Sequence, residues 1–572
     1  MNVNVHNKIL KEYDSAIVER FRRQLQESVI ICTDRCLFIA AKWSAELLEG
    51  LDEATLNLSN QFEHQHTFYN NYDASLPSLN EQEFNKYQYA RSLFHLRQFE
   101  NVNFILKGYN NPRLRFLRLY ARYLLGEKQK EEQHYDVLSV NDNSLTENME
   151  LGSIHDELVE AYENDQPLDA FCFYLFGIVL RQRGENQTAA FMLIESIKKY
   201  EFNWSAWKEL STLVVNKKMF NDIQRLLDTK LPNSIMKDFF FAHLTIELHF
   251  SKETFEDFMI PLIGLFPEST YIIAQLALAY YSNAEYETSQ HFFEQIRKKN
   301  PYRLEQMDVY SNLLYIKKNQ TLLSILAHQS EKIDKCSPET CCIIGNYYSS
   351  KREGALAIEY FKRALKLNRS YIWAWTLLGH DYIELKNANA AIECYKRAIN
   401  INPRSYIAWY GLGQAYEVLK LPYYAKYYYE KAAELKPHDG RMWNALAQCY
   451  RLANMHNEAQ RCYERANESP KPGSYDISIQ LARIYDKMLK PHLSAFYYEK
   501  AITELDNQGK GESEEIAEGK LFLAKYMIAD HKLDIGEKYA RDVLPFNFPY
   551  HEEAKALLEE IKNIANNIPE NK

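Results

Sequence analysis

From residue 338 onward, large apolar residues recur at spacings of three and four, the interval that puts side chains on one face of an α-helix. The same pattern then repeats at a longer interval. Trp375, Trp409 and Trp443 stand 34 residues apart. Trp375 is followed by Leu378, Gly379, Tyr382, Ala391, Tyr395, Ala398 and Pro403, and Trp409 by Leu412, Gly413, Tyr416, Ala425, Tyr429, Ala432 and Pro437. The two rows match position for position. Leu446, Ala447, Tyr450, Ala459, Tyr463 and Ala466 carry the register past Trp443, and Cys341, Ile344, Gly345, Tyr348, Ala357, Phe361 and Ala364 carry it upstream. Each period therefore predicts two antiparallel helices, with small residues where the backbones approach and rings filling the gap.

A period of 34 is that of the tetratricopeptide repeat. One helix pair alone leaves an apolar flank exposed, so the pairs must stack. The expected fold is all-α, a tetratricopeptide-repeat superhelix, that is, an α-solenoid of antiparallel helix pairs. Weaker units flank the regular ones: Ile273 to Pro301, a degenerate one around Met307, Ser311 and Leu314, an early one from Gly177 to Trp207, and a later one from Leu481 to Ala501. The expected organisation is N-terminal helices over 1–51, a polar linker or loop over 52–80, and divergent repeats over 81–337 with an acidic insertion at 132–168. Regular repeats forming a peptide groove follow over 338–505, then a divergent last repeat and a capping helix over 506–572.

Composition narrows the function. A net charge of −9 with no polybasic run argues against direct nucleic-acid binding. No apolar run reaches the roughly 18 residues of a membrane span, and the charged start has no apolar h-region, so an intracellular protein outside the membrane is expected. Nine cysteines are too dilute for a disulfide scaffold. Cys32 with Cys36, and Cys341 with Cys342, lack a second pair or a histidine at zinc spacing and read as buried or interfacial thiols. The "EHQH" at 63–66 has no companion ligand, so no metal or cofactor is expected. Neither a phosphate-cradling glycine loop nor a Ser/His/Asp set is present, and the chain reads as a non-enzyme.

The repeat frame also names the side chains able to line a concave face, at roughly the second, fifth, ninth and twelfth positions of each first helix. These include Cys342 and Asn346; then Trp373, Thr376 and His380, with Asp381 beside them; then Tyr410, Gln414 and Glu417; then Asn444, Gln448 and Arg451. Acids, amides and aromatics in such a groove suit an extended peptide bearing arginine, whose planar donors engage a carboxylate and stack on a ring. A chaperone-tail clamp would want lysines at the fifth positions, and none stands there. His380 has no nucleophile in register and reads as a polar contact. From spacing alone Asn346 and Asp381 read as polar groups solvating a helix face. In the stretch "WYGLGQAYEVLKLPYYAKYYYEKAAELKP", Tyr416 and Tyr429 fall on core positions and Tyr410 on the groove. Tyr423, Tyr424, Tyr427 and Tyr428 are not required by the repeat. They either pack against the adjoining unit or form an interface with a neighbouring subunit.

The residues between the repeat positions say more. "PYRLEQMDVYSNLLY" (301–315), "LAHQSEKIDK" (326–335), "ETCCIIGNYYSSKREGALAIEYFKRALKLN" (339–368), "AWTLLGHDYIELKNANAAIECYKRAI" (374–399) and "AWYGLGQAYE" (408–417) closely resemble the family of subunit 8 of the anaphase-promoting complex/cyclosome (the cell division cycle protein 23 family). The resemblance continues through "CLFIAAKWSAELL", "RYLLGEK" and "YLFGIVLR". It implies a non-catalytic scaffold subunit of a cullin-RING ubiquitin ligase controlling mitosis, nuclear and cytoplasmic, that homodimerises through its N-terminal repeats. Its implied partners are the other scaffold subunits and coactivator proteins, which insert an arginine-containing motif in the C-terminal groove. The family's arginine pocket aligns with Asn346 in "IGNYY" and Asp381 in "GHDY", where this chain has Asp in place of the family's Glu. The alternative is a tetratricopeptide cargo adaptor or co-chaperone that binds peptide tails transiently.

Overall fold

The computed structural model describes residues 15–51, 79–132, 148–232, 234–468, 475–507, 514–545 and 550–567. Among these residues there are 29 helices and no strand. The chain divides into two compact units, Met1–Tyr371 and Ile372–Lys572, each built of antiparallel helix pairs.

The turn inside each pair has one construction. Ala284, Lys318, Arg352, Lys386, Lys420 and Asn454 stand 34 residues apart and all adopt positive φ, between 56° and 64°. In each case the amide of that residue bonds the carbonyl three back, and the next amide bonds the carbonyl five back; at Lys386 these are Ile383 and Tyr382, at 2.9 and 2.8 Å. This is the Schellman closure, which satisfies carbonyls that a helix C-terminus otherwise leaves bare. The same bonds close the turns at Cys36, Arg97, Asp165, His249, Leu489 and His531, and among the described residues glycine takes the place only at Gly184. The backbone period thus extends over stretches where side-chain identity has drifted.

Tryptophan closes the turns between pairs. The indole Nε1 of Trp207, Trp409 and Trp443 donates to the carbonyl six residues earlier, on Glu201, Pro403 and Pro437, at 2.7 to 2.8 Å. Trp207 is fully buried and Trp409 and Trp443 pack half-buried against the core, each tying the incoming loop to the next helix, and at the last two the carbonyl belongs to a proline. Trp375, Tyr395, Tyr429 and Tyr463 are all at most 1% exposed. Burying rings of this size contributes roughly 2 to 3 kcal/mol each.

In the first unit the N-terminal helices Ser15–Asp34 and Phe38–Glu49 are woven into later repeats. Trp43 stacks on Trp204 at 4.5 Å and meets Phe239 and Tyr271 edge-on. Ser28 Oγ donates to the Phe202 carbonyl at 3.1 Å. Arg35 and Asp169, 1% and 0% exposed, form an ion pair at 2.6 Å. The Arg35 guanidinium also lies 5.0 Å from the centre of the Phe171 ring.

One stretch departs from expectation. Within 132–168, read as a polar insertion, residues Leu151–Glu163 form a helix that buries Leu151, Ile154, Leu158 and Ala161. Their helical spacing is hidden among acidic neighbours on the exposed face. Residues 133–147 of that insertion, 52–78 of the linker with its "EHQH", and the "SPKPGS" turn lie outside the described residues. In the second unit the last helix, Tyr550–Asn567, packs Ala554 and Leu557 onto Ala517, Leu521, Ala540 and Val543.

Candidate functional site

The groove residues named from the repeat frame fall in both units. In the first, Asn346 lies on the helix Pro338–Ser350 and is 2% exposed. Its Nδ2 donates to Ser311 Oγ at 2.7 Å. Cys342, one turn earlier, is fully buried, and burial pushes its thiol well above the ordinary range. On the preceding repeat helix, Met307–Ile316, Asp308 is 4% exposed and accepts a hydrogen bond from the Tyr371 hydroxyl at 2.6 Å.

In the second unit Trp373, Thr376, His380 and Asp381 lie on the helix Ile372–Glu384. The Thr376 hydroxyl donates back to the Trp373 carbonyl at 2.9 Å, the usual way a buried hydroxyl is satisfied inside a helix. His380 Nδ1 is 2.8 Å from the Tyr395 hydroxyl, and the two rings meet edge-on. Burial pulls the imidazole down to about 4, so it is neutral at pH 7. A neutral imidazole already engaged by a tyrosine offers a hydrogen bond to a ligand and carries no charge. Asp381 is buried.

One repeat on, Tyr410 leans on the Tyr429 ring at 5.3 Å and bonds Gln414 through its hydroxyl. Glu417 accepts from the Tyr429 hydroxyl at 2.8 Å. The core ring thereby holds a groove carboxylate in place. Asn444, Gln448 and Arg451 on the helix Gly440–Leu452 are half-buried. What these elements offer is a set of amides, carboxylates and one neutral imidazole on rigid helices. That is a vocabulary for binding backbone amides and cationic side chains.

The tyrosine-rich stretch resolves by position. Tyr429 is buried, whereas Tyr416 is only partly buried and stacks with Tyr424 at 5.5 Å and with Tyr428 at 5.2 Å. Tyr416 is thus shared between the core and a surface ladder of rings. Tyr423, Tyr424 and Tyr427 are 71%, 59% and 52% exposed, and Tyr428 is half-buried between Tyr427 and Trp409. Exposed contiguous rings of this kind mark interaction surfaces.

Among the described residues no cluster of His, Cys, Asp or Glu could hold a metal, and no helix is long and apolar enough to cross a membrane. The nine cysteines are free thiols, all buried except Cys336. Burial raises Cys32 and Cys36 to about 12, which keeps them protonated and unreactive.

Asp308 and Tyr371 carried no role in the sequence reading, and Ser311 appeared there only as a repeat position. The 34-residue register does carry the signal, because Asp308 stands one period before Cys342 and two before Thr376, at the fifth position. Its repeat has Met307 in place of the tryptophan and Leu323 in place of the alanine that made the others visible.

Comparison with known proteins places these features. The family model described as anaphase promoting complex subunit 8 / Cdc23 matches residues 20–277. Tetratricopeptide-repeat models match 338–371, 379–419 and 440–470. Anaphase-promoting complex subunit 8 of Arabidopsis thaliana is 36% identical over 380 residues, covering 62% of this chain and 64% of that protein. The Dictyostelium discoideum subunit 8 is 36% identical over 404 residues, covering 63% of this chain and 67% of that protein. The matched part thus spans about two thirds of the length of these relatives. The crystal structure of the APC/C hetero-tetramer Cut9-Hcn1 superposes with a TM-score of 0.55 at 13% identity, covering 98% of this chain and 99% of that one, a likeness of fold.

Proposed function

This chain belongs to the anaphase-promoting complex subunit 8/Cdc23 family, and from that premise we propose that it is a non-catalytic tetratricopeptide scaffold subunit of the anaphase-promoting complex, a cullin-RING ubiquitin ligase. In this reading it works in the nucleus and cytoplasm, homodimerises through its N-terminal half and holds an arginine-containing coactivator motif in its C-terminal groove. The observation that carries it is the run of 34-residue repeats with amides, acids and aromatics at concave positions, in a chain whose N-terminal half matches the family model.

The groove contacts are Asn346 and Asp381, flanked by Trp373, Thr376, His380, Tyr410, Gln414, Glu417, Asn444 and Gln448. Their chemistry supports the reading, since a guanidinium binds best between a carboxylate, an amide and a ring face. Exposed Tyr423, Tyr424 and Tyr427 support a contact with a neighbouring subunit. At the N-terminal end, exposed Phe38 lies 5.3 Å from His95, beside exposed Ile39 and Leu96, and supports a self-association face.

The test is purification of the tagged chain from cells, with mass spectrometry of what accompanies it and size fractionation of the eluate. Scaffold membership requires a cullin, a RING subunit and other repeat subunits in one large assembly. A chain that runs as a monomer or dimer without them would be a transient adaptor instead. Deleting residues 1–165 should abolish self-association in sedimentation while leaving the groove repeats folded.

A further inference from the structure

The helix Met307–Ile316 carries Asp308 at the fifth repeat position, in the same column as Cys342. Its carboxylate is buried, and among the described residues no lysine or arginine pairs with it. Burial raises it to about 6, against hydrogen bonds from the Tyr371 hydroxyl and the backbone amides of Val309 and Asp308 itself. Among the described residues its one side-chain hydrogen-bond partner is the Tyr371 hydroxyl, 2.6 Å away. Tyr371 lies in the turn after the helix Gly354–Leu367, outside any helix, and is half-buried. Ser311, one turn beyond Asp308 on the same helix face, receives the Asn346 amide at 2.7 Å. The groove amide and the masked carboxylate are therefore neighbours.

Space and charge point the same way. A cavity of about 1050 Å³ has Glu305, Ser337 and Glu339 in its wall, and the Glu339 carboxylate acts electrostatically on Asp308. Its lining carries six carboxylates against three cations, and each cation already pairs with one of those carboxylates. A cationic side chain would be drawn into that cavity by its excess of carboxylates.

We infer that Asp308 is a further, specificity-determining carboxylate of the peptide groove, masked by Tyr371 in the free protein, and that an arginine of the bound peptide displaces the Tyr371 hydroxyl to pair with it. The inference rests on the groove reading above. A guanidinium replaces one hydrogen bond from a neutral hydroxyl with two from a cation, which favours exchange.

The test is a fluorescence-anisotropy titration of the full chain with a labelled peptide carrying the coactivator's arginine-containing segment, and with its twin in which citrulline replaces the arginine. The wild type should prefer arginine. Asp308→Asn should lower the arginine peptide's affinity about tenfold and leave the citrulline peptide unchanged. Tyr371→Phe should bind the arginine peptide roughly threefold tighter, because the internal competitor is gone. A wild-type preference that survives in folded Asp308→Asn, with Tyr371→Phe unaltered, overturns the inference and leaves the groove reading standing. No preference in the wild type overturns both. Should Asp308→Asn melt early, Tyr371→Phe decides alone, and an unaltered affinity in it counts against the inference.

Discussion

The ring of Tyr395 occupies the space where Gly379 would carry a side chain: a β-carbon on Gly379 would lie 2.6 Å from Tyr395 Cε1. On the other flank a β-carbon at Gly411 would lie 2.4 Å from the same atom. Tyr395 is fully buried between two helices that come this close only because both positions lack a side chain. Gly379→Ala should therefore cost about 1 to 3 kcal/mol through overpacking, read as a lower urea midpoint. An unchanged midpoint would mean that the helices part freely at this contact.

The positive-φ turn residues make the opposite prediction. Lys420, at φ 59°, adopts a backbone conformation that costs a non-glycine residue about 1 kcal/mol. Lys420→Gly should raise stability by about that amount, while Lys420→Ala should not. Thermal melting of the three proteins side by side would reveal a gain or its absence.

His380 should give the fold a pH dependence. Its folded value of about 4 lies below its ordinary 6.5, so between those values the unfolded chain binds the extra proton. Its contribution is intact above pH 6.5 and is lost as the pH falls toward 4. The loss amounts to as much as about 3 kcal/mol. Denaturation of the wild type and His380→Gln at pH 7.5 and 5 should show a shallower decline in the variant. Equal declines would mean that the imidazole is protonated in the folded state.

The buried pair Arg35 and Asp169 should tie the N-terminal helices to the repeats. Asp169 Oδ1 also accepts the Cys172 amide at 2.8 Å, capping the helix Ala170–Gln182. Asp169→Ala removes both roles and leaves a guanidinium buried against Phe171, a loss of about 3 to 5 kcal/mol. Limited proteolysis should then cut near residues 36–51 faster than in the wild type. Unchanged cleavage rates would locate the anchorage in the Trp43 and Trp204 stack instead.

The exposed tyrosines should matter to assembly and not to folding. Tyr423→Ser combined with Tyr427→Ser removes rings that are 71% and 52% exposed, so the melting temperature should hold. Recovery of other complex subunits with the tagged chain should fall. Full recovery with the double variant would return this surface to solvent.

Much of the architecture was legible because helix packing writes itself into spacing. The Trp375, Trp409 and Trp443 register located the helix pairs, and Gly379 with Tyr395 already appeared as a small residue opposite a large one. The groove was legible only as a set of positions. That Asn346 bonds Ser311, that Tyr395 engages His380, or that Tyr371 covers Asp308 depends on rotamers and on neighbours 15 to 63 residues away. The helix over 151–163 was missed because its four buried apolar residues are interleaved with four acids.

By itself the sequence determined the repeat, its period and the faces each helix presents, since these depend on local geometry and on contacts with the next helix along. Tertiary structure alone decided where the N-terminal helices go and which polar groups are already taken. Trp43 meets Trp204 and Tyr271 across more than 150 residues, with no periodic rule connecting them. Likewise a carboxylate such as Asp308 becomes a masked site only once burial has removed its water and a tyrosine from another turn has replaced it.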